Sequence, residues 1–128
     1  MDFKALFPIY HPKQKYEICW EKGNRLFKQK KYREAIESFE EGLNELDYSN
    51  GRLVYTEYEI IKMIIPLLSN VAACYVELHD FRNTEKYCDQ ILSFQPDNRR
   101  ALFFLTIAEV QRSCHEDQLQ RAQGLQRE

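Results

Sequence analysis

Glycine and proline are scarce in this chain, four of each in 128 residues, which leaves too few turn formers for a many-stranded sandwich or barrel. Long apolar runs are missing too. The most apolar stretch, Ile60 to Leu68, is interrupted by Lys62 and Pro66, so no membrane-spanning helix and no membrane partner are expected. The first ten residues have neither a long apolar core nor a small-residue cleavage site; no secretory signal is read there, and the expected location is the cytosol. Cysteines are present at 19, 74, 88 and 114 but form no C-x-x-C pair. The first three lie inside apolar periodic segments and read as small buried hydrophobes rather than bridge partners. Cys114, His115 and Asp117 are a local group of ligand types, but they cannot by themselves close a tetrahedral site, so no metal and no cofactor are expected. There is no G-x-S-x-G, no P-loop and no G-x-G-x-x-G, and His11, His79 and His115 fall in a leader, a turn and the tail. Such a chain is not expected to be an enzyme.

What the chain does have is helical apolar patterning. Hydrophobic residues make up 44% and charged ones 30%, too apolar for a disordered tail and long enough for one domain with its own core. Tyr16, Cys19, Gly23, Leu26 and Phe27 form one stripe, and Tyr32, Ala35, Ile36, Phe39, Gly42, Leu43 and Leu46 a second, both at i, i+3, i+4, i+7 spacing. Gln29-Lys30-Lys31 between them permit only a tight turn, so the two segments are expected to form an antiparallel hairpin. Glycines inside such stripes cost up to about 1 kcal/mol relative to alanine, and close approach of the helices at Gly23 and Gly42 is the simplest reason to keep them. The net charge of −2 is unevenly spread. Residues 13–33 are basic and residues 34–59 acidic, which gives neighbouring helix faces of opposite sign. With no Gly-rich or aromatic nucleic-acid signature, that pattern reads as solvated surface and predicts no nucleic-acid partner.

The first hairpin recurs along the chain. An offset of 49 carries Gly23 to Ala72, Leu26 to Tyr75, Tyr32 to Phe81, Ala35 to Thr84, Phe39 to Cys88, Gly42 to Ile91 and Asp47 to Pro96; a further 34 carries Ala72 to Thr106 and Cys74 to Ala108. The period is therefore 34, with about 15 residues inserted after the first unit. A helix is expected to start at Thr56-Glu57-Tyr58-Glu59, a capping box, and then to kink or break near Ile65 because Pro66 follows. Pro96 and Asp97-Asn98 supply the break and cap for a third unit starting near Asn98 and ending near Ser113.

Lys22-Gly23-Asn24-x-x-Phe27-Lys28-x-x-Lys31-Tyr32-x-x-Ala35-Ile36-x-x-Phe39, followed by Asn70-x-Ala72-Ala73-Cys74-Tyr75, Asp80-Phe81 and Gln95-Pro96-Asp97-Asn98, resembles the tetratricopeptide repeat. The insertion, the extended second-unit helix and Ile65-Pro66-Leu67-Leu68-x-Asn70 resemble in particular the C-terminal repeat domain of immunophilin-like co-chaperones of the aryl-hydrocarbon-receptor-interacting type. The resemblance implies an all-α fold of stacked antiparallel helical hairpins, an α-solenoid of about three repeats with the third degenerate. On this reading residues 1–15 are a leader and 16–128 the repeat domain. Repeat 1 covers about 16–49, the insertion 50–65, repeat 2 66–97, and a partial repeat 3 with a C-terminal cap 98–128.

Stacked hairpins form a concave groove from the first helix of each unit, suited to a peptide. In the co-chaperone family that groove grips the acidic C-terminal tail of heat-shock chaperones with two lysines, two asparagines and an arginine. The resemblance places those five sites on Trp20, Asn24, Asn70, Arg100 and Phe104. Both asparagines and one base are kept, and two bases are replaced by aromatic rings. Each lost charged hydrogen bond is worth about 1.5–3 kcal/mol, so an acidic tail is expected to bind weakly, with Lys22 and Arg99 as other bases that could serve a clamp. Two readings of the replacement stay open. Either the groove has decayed and its rings pack against neighbours, or it is retuned for an apolar or aromatic peptide with Trp20 and Phe104 as anchors. The expected partner is a protein or peptide, a heat-shock chaperone or its client among them. The alternative is a structural unit that self-associates or docks on a larger partner, as a homodimer for example, if Leu119, Ala122 and Leu125 leave Leu102 and Leu105 uncovered.

Overall fold

The computed structural model describes residues 14–50 and 56–127, the side chains of 47–50 and 125–127 excepted. The leader 1–13 and the side chains of Asp47 and Leu125 thus lie outside the described residues. The described residues form helices α1 (Lys15–Lys28), α2 (Tyr32–Asn50), α3 (Glu57–Glu77), α4 (Phe81–Phe94) and α5 (Arg99–Arg127), with no strand among them. Each helix packs on the next, and α3 also reaches α5. The fold is all-α, a stack of helical hairpins.

The local chemistry explains the element ends. In the first hairpin Lys30 sits in the left-handed region at φ 63° and Lys31 N–H donates to the Leu26 carbonyl, while Lys30 N–H donates to Phe27. His79 does the same at φ 58°, with Asp80 N–H on Tyr75 and His79 N–H on Val76. These are paired Schellman turns, which satisfy the last carbonyls of a helix. They lie 79 − 30 = 49 residues apart, the offset read from the side chains. Thr56 and Glu59 form the reciprocal capping box, at 2.8 and 3.2 Å. Asp80 caps α4 through Asn83 N–H, and Asn98 caps α5 through Ala101 N–H.

Phe39 is fully buried against Gly23; a Cβ on Gly23 would lie 2.4 Å from its ring, so the glycine makes room for the phenylalanine. Gly42 sits where α1 and α3 meet α2, 3.4 Å by its imagined Cβ from both Cys19 and Leu67. One core cluster joins Ala35, Ile36, Phe39 and Leu46 of α2 to Leu67, Val71 and Cys74 of α3. A second joins Ile65, Leu68, Ala72 and Ala73 of α3 to Cys88 and Ile91 of α4 and to Ala101 and Phe104 of α5. Between them Tyr75 stacks on Tyr87, whose hydroxyl donates to Glu40 at 2.8 Å.

Two expectations change. The interruption at Pro66 does not occur: α3 runs from Glu57 to Glu77 with Pro66 inside it and exposed. Burial of Ile60 and Ile65 before the proline and of Leu67 and Leu68 after it keeps both halves in one helix, offsetting the missing N–H. The third-unit helix, expected to end near Ser113, instead runs on to Arg127, and every described side chain from Glu109 to Gly124 is exposed. By length and composition α3 could also cross a bilayer, but half of that apolar window is buried in the protein, as befits the central helix of the stack.

Candidate functional site

The first helix of each unit contributes one polar side chain to a common line. Asn24 of α1 and Asn70 of α3 are half-buried; Arg100 of α5 is exposed. Arg100 Nη1 donates to Asn70 Oδ1 at 3.3 Å, and Asn70 Nδ2 donates to Asn24 Oδ1 at 3.2 Å. Arginine has no acceptor, so its bond fixes the amide orientation of Asn70, and that in turn fixes Asn24. The ladder therefore ends in donors, the Asn24 amide NH2 and the remaining guanidinium N–H groups. A surface of this kind takes acceptors such as peptide carbonyls or a carboxylate.

The two rings occupy different environments. Phe104 is only 9% exposed; it belongs to the core cluster of α3, α4 and α5, with the Arg100 guanidinium 5.4 Å above its ring centroid. It is a floor that positions Arg100, not a projecting anchor. Its neighbour Phe103, 62% exposed, carries the ring that faces solvent, 5.9 Å from that of Phe104. Trp20 is 39% exposed, one turn before Asn24, and opens into a cavity of about 280 Å³ lined by Tyr16, Glu17, Trp20, Glu21, Lys62, Met63 and Pro66. The structure thus links Asn24, Asn70, Arg100 and Phe104 in one contact chain and sets Trp20 beside them in a cavity between α1 and α3.

Of the two substitute bases, Lys22 does not face this line. It lines a separate cavity of about 310 Å³ with Leu26, Glu34, Glu37, Ser38 and Glu41, between α1 and α2. Arg99 is exposed at the start of α5. The basic and acidic helix faces meet in Lys15 and Glu45, paired at 2.9 Å, and this partner holds the Lys15 ammonium above its ordinary pKa. Burial pushes the Cys74 thiol up to about 12 and Cys88 to about 11, so neither is a nucleophile near neutral pH. Cys114 is exposed, Asp117 pairs with Arg121 at 3.1 Å, and no group of three or more metal-ligating side chains is found among the described residues.

Sequence reasoning missed the Trp20 cavity. Its signal was available: Glu17 shifted by 49 is Pro66, so the wall residues stand at equivalent positions of α1 and α3. No protein-family model matches the chain. Over 81 residues it is 32% identical to zinc finger CCCH domain-containing protein 7B of Homo sapiens, and over 83 residues 28% identical to peptidyl-prolyl cis-trans isomerase FKBP42 of Arabidopsis thaliana. Each match takes in 63% of this chain, which spans 8% of the first relative and 23% of the second.

Proposed function

We propose that the chain is a non-enzymatic protein-interaction module, co-chaperone-like, that binds an extended segment of a partner protein in the groove formed by α1, α3 and α5. The observation that carries this reading is the hydrogen-bonded ladder Asn24–Asn70–Arg100, which crosses three helices and ends in donors. A ladder of this kind matches the acceptors of a peptide main chain. The partial similarity to a peptidyl-prolyl isomerase supports the same direction, because the residue pattern resembles immunophilin-like co-chaperones. The clamp is altered. Arg100 is its one base, and an acidic chaperone tail is expected to bind more weakly than in a three-base clamp by about 3 kcal/mol or more. Calorimetry with an acidic tail peptide, free and amidated at its C-terminus, tests this. The expected result is weak, salt-sensitive binding lost in Arg100→Ala; tight binding that survives Arg100→Ala would show a clamp built from other bases.

A second reading has its own observation. Leu102, Phe103, Val110 and Leu119 of α5 are 43%, 62%, 53% and 49% exposed. This favours self-association or docking through α5, including a homodimer. Sedimentation over a hundredfold dilution, on the native chain and on Leu102→Lys with Phe103→Lys, decides it: a mass that falls on dilution only in the native chain supports the second reading.

A further inference from the structure

A cavity of about 750 Å³ lies where α5 passes the start of α4, and none of Asn24, Asn70 and Arg100 lines it. Its arginine on α5, Arg112, stands about three turns beyond Arg100, roughly 18 Å along the axis. One wall is the turn before α4 and its first residues, with His79, Phe81, Arg82 and Glu85. The other is a stripe of α5, Gln111, Cys114, His115 and Gln118 at i, i+3, i+4, i+7 spacing, with Arg112 beside it. Donors dominate this lining: two guanidiniums, two imidazoles and two primary amides face one carboxylate. That carboxylate, Glu85, is already engaged by Arg112, and its Oε1 is buried. Arg82 is exposed and has no hydrogen-bond or ion-pair partner among the described residues. The His79 ring is braced edge-on against Phe81, 5.7 Å between centroids, and an imidazole presents an N–H whether or not it is charged. The acids nearby in sequence are directed elsewhere. Both oxygens of Asp80 accept from Asn83, one from its backbone N–H and one from its amide, and Asp117 pairs with Arg121. Glu109 and Glu116 do not line the cavity.

These features select the ligand. A cation would meet two guanidiniums, and among the described residues no three metal-ligating side chains converge. An apolar group would desolvate Arg82 with no compensation. A carboxylate offers two oxygens in one plane, whereas a phosphate monoester offers three acceptor oxygens in a tetrahedral array and about −1.5 to −2 charge, which suits donors arriving from two walls. A nucleic-acid strand needs a basic stripe for its serial phosphates, and α5 instead carries Glu109, Glu116 and Asp117 around this point. We propose that this cavity binds the phosphate of a phosphorylated side chain on a partner protein, with Arg82 as its principal contact and the imidazoles of His79 and His115 as flanking donors. The site is independent of the groove between α1, α3 and α5.

The imidazoles are the reporters. The chain has three histidines, at 11, 79 and 115, few enough for their proton resonances to be assigned by single changes to glutamine. The probes are inorganic phosphate and acetylated, amidated pentapeptides of alanine with a central phosphoserine, glutamate or serine, titrated into the full chain at fixed pH and ionic strength. The expected result is a saturable shift of the His79 and His115 resonances by the phosphoserine peptide, at about tenfold lower Kd than inorganic phosphate or the glutamate peptide, and no shift by the serine peptide. Arg82→Gln should weaken the phosphoserine peptide about tenfold, with an unchanged circular dichroism spectrum to establish that the variant is folded. Glutamate binding as tightly as phosphoserine, free phosphate binding as tightly as the peptide, or an unchanged affinity in Arg82→Gln overturns the proposal. So does the absence of any shift at about 10 mM phosphopeptide, or a short single-stranded oligonucleotide that moves the same resonances at lower concentration. None of these outcomes touches the groove reading, which stands or falls on the calorimetry with tail peptides and Arg100→Ala.

Discussion

The two hairpins make the same contact with opposite distributions of bulk. In the first, Gly23 of α1 admits the whole ring of Phe39 of α2; in the second, the equivalent pair 49 residues on is Ala72 of α3 and Cys88 of α4, both fully buried. A large side chain against nothing becomes two small ones. What recurs is a buried crossing, not the residue types or their bulk. The third unit shows what happens with half of the contact: Thr106, the next equivalent, is exposed, and among the described residues no helix packs on it.

The hardest test of this comparison is to remove the bulk on each side. Phe39→Ala is expected to cost about 3–5 kcal/mol in a urea melt, and Cys88→Ala about 1 kcal/mol, because far less volume is lost. Equal costs would refute the unequal distribution of bulk. Gly23→Ala comes next. Helix propensity alone predicts a gain of up to about 1 kcal/mol, but the clash with Phe39 should turn this into a net loss of about 1–3 kcal/mol. Adding Phe39→Leu should recover part of it, a non-additivity that a double-mutant cycle measures directly.

Alkali probes the core of the second hairpin in another way. Burial raises the thiol pKa of Cys74 from 9.0 to about 12 and of Cys88 from 9.0 to about 11. Above the unfolded value the unfolded chain has released these protons and the native chain has not, so stability falls as pH rises from about 9 toward 11–12. The slope approaches about 1.4 kcal/mol per pH unit for each thiol. Melts between pH 8 and pH 10.5 should show a shallower decline in Cys88→Ala, and an identical decline would refute the assignment. The smallest effect concerns the exposed end of α5. Deleting residues 115–128 removes no buried side chain among those described, and should change stability by less than about 0.5 kcal/mol. A larger loss would mean that the projecting helix is covered in solution, as self-association requires.

Much of this was legible along the chain. The stripes placed α1 and α2, the offset of 49 placed α4, the capping box the start of α3, and Asn98 the start of α5, since caps and periodicity act within one or two turns. Pro66 misled because a proline's local cost was weighed without the core that α3 fills on both sides of it. The end of α5 was placed too early, near Ser113, because the apolar stripe weakens there, while nothing in residues 109–124 interrupts the helix. Trp20, Asn24, Asn70 and Arg100 were singled out by position in the repeat, yet position alone did not reveal that Phe104 is floor and Phe103 is surface.

By itself the sequence determined that the chain is helical, where its turns fall, and that its units repeat with an insertion, because backbone capping and hydrophobic period are local properties. Only the tertiary structure decided that Arg100, Asn70 and Asn24 join hands across three helices, that Lys22 turns to the acidic wall of α2, and that Glu17 and Pro66 close a cavity around Trp20. Those relations depend on the angles at which α1, α3 and α5 dock, and the angles are set by side chains brought together from different helices, such as Gly23 against Phe39 and Ala72 beside Cys88.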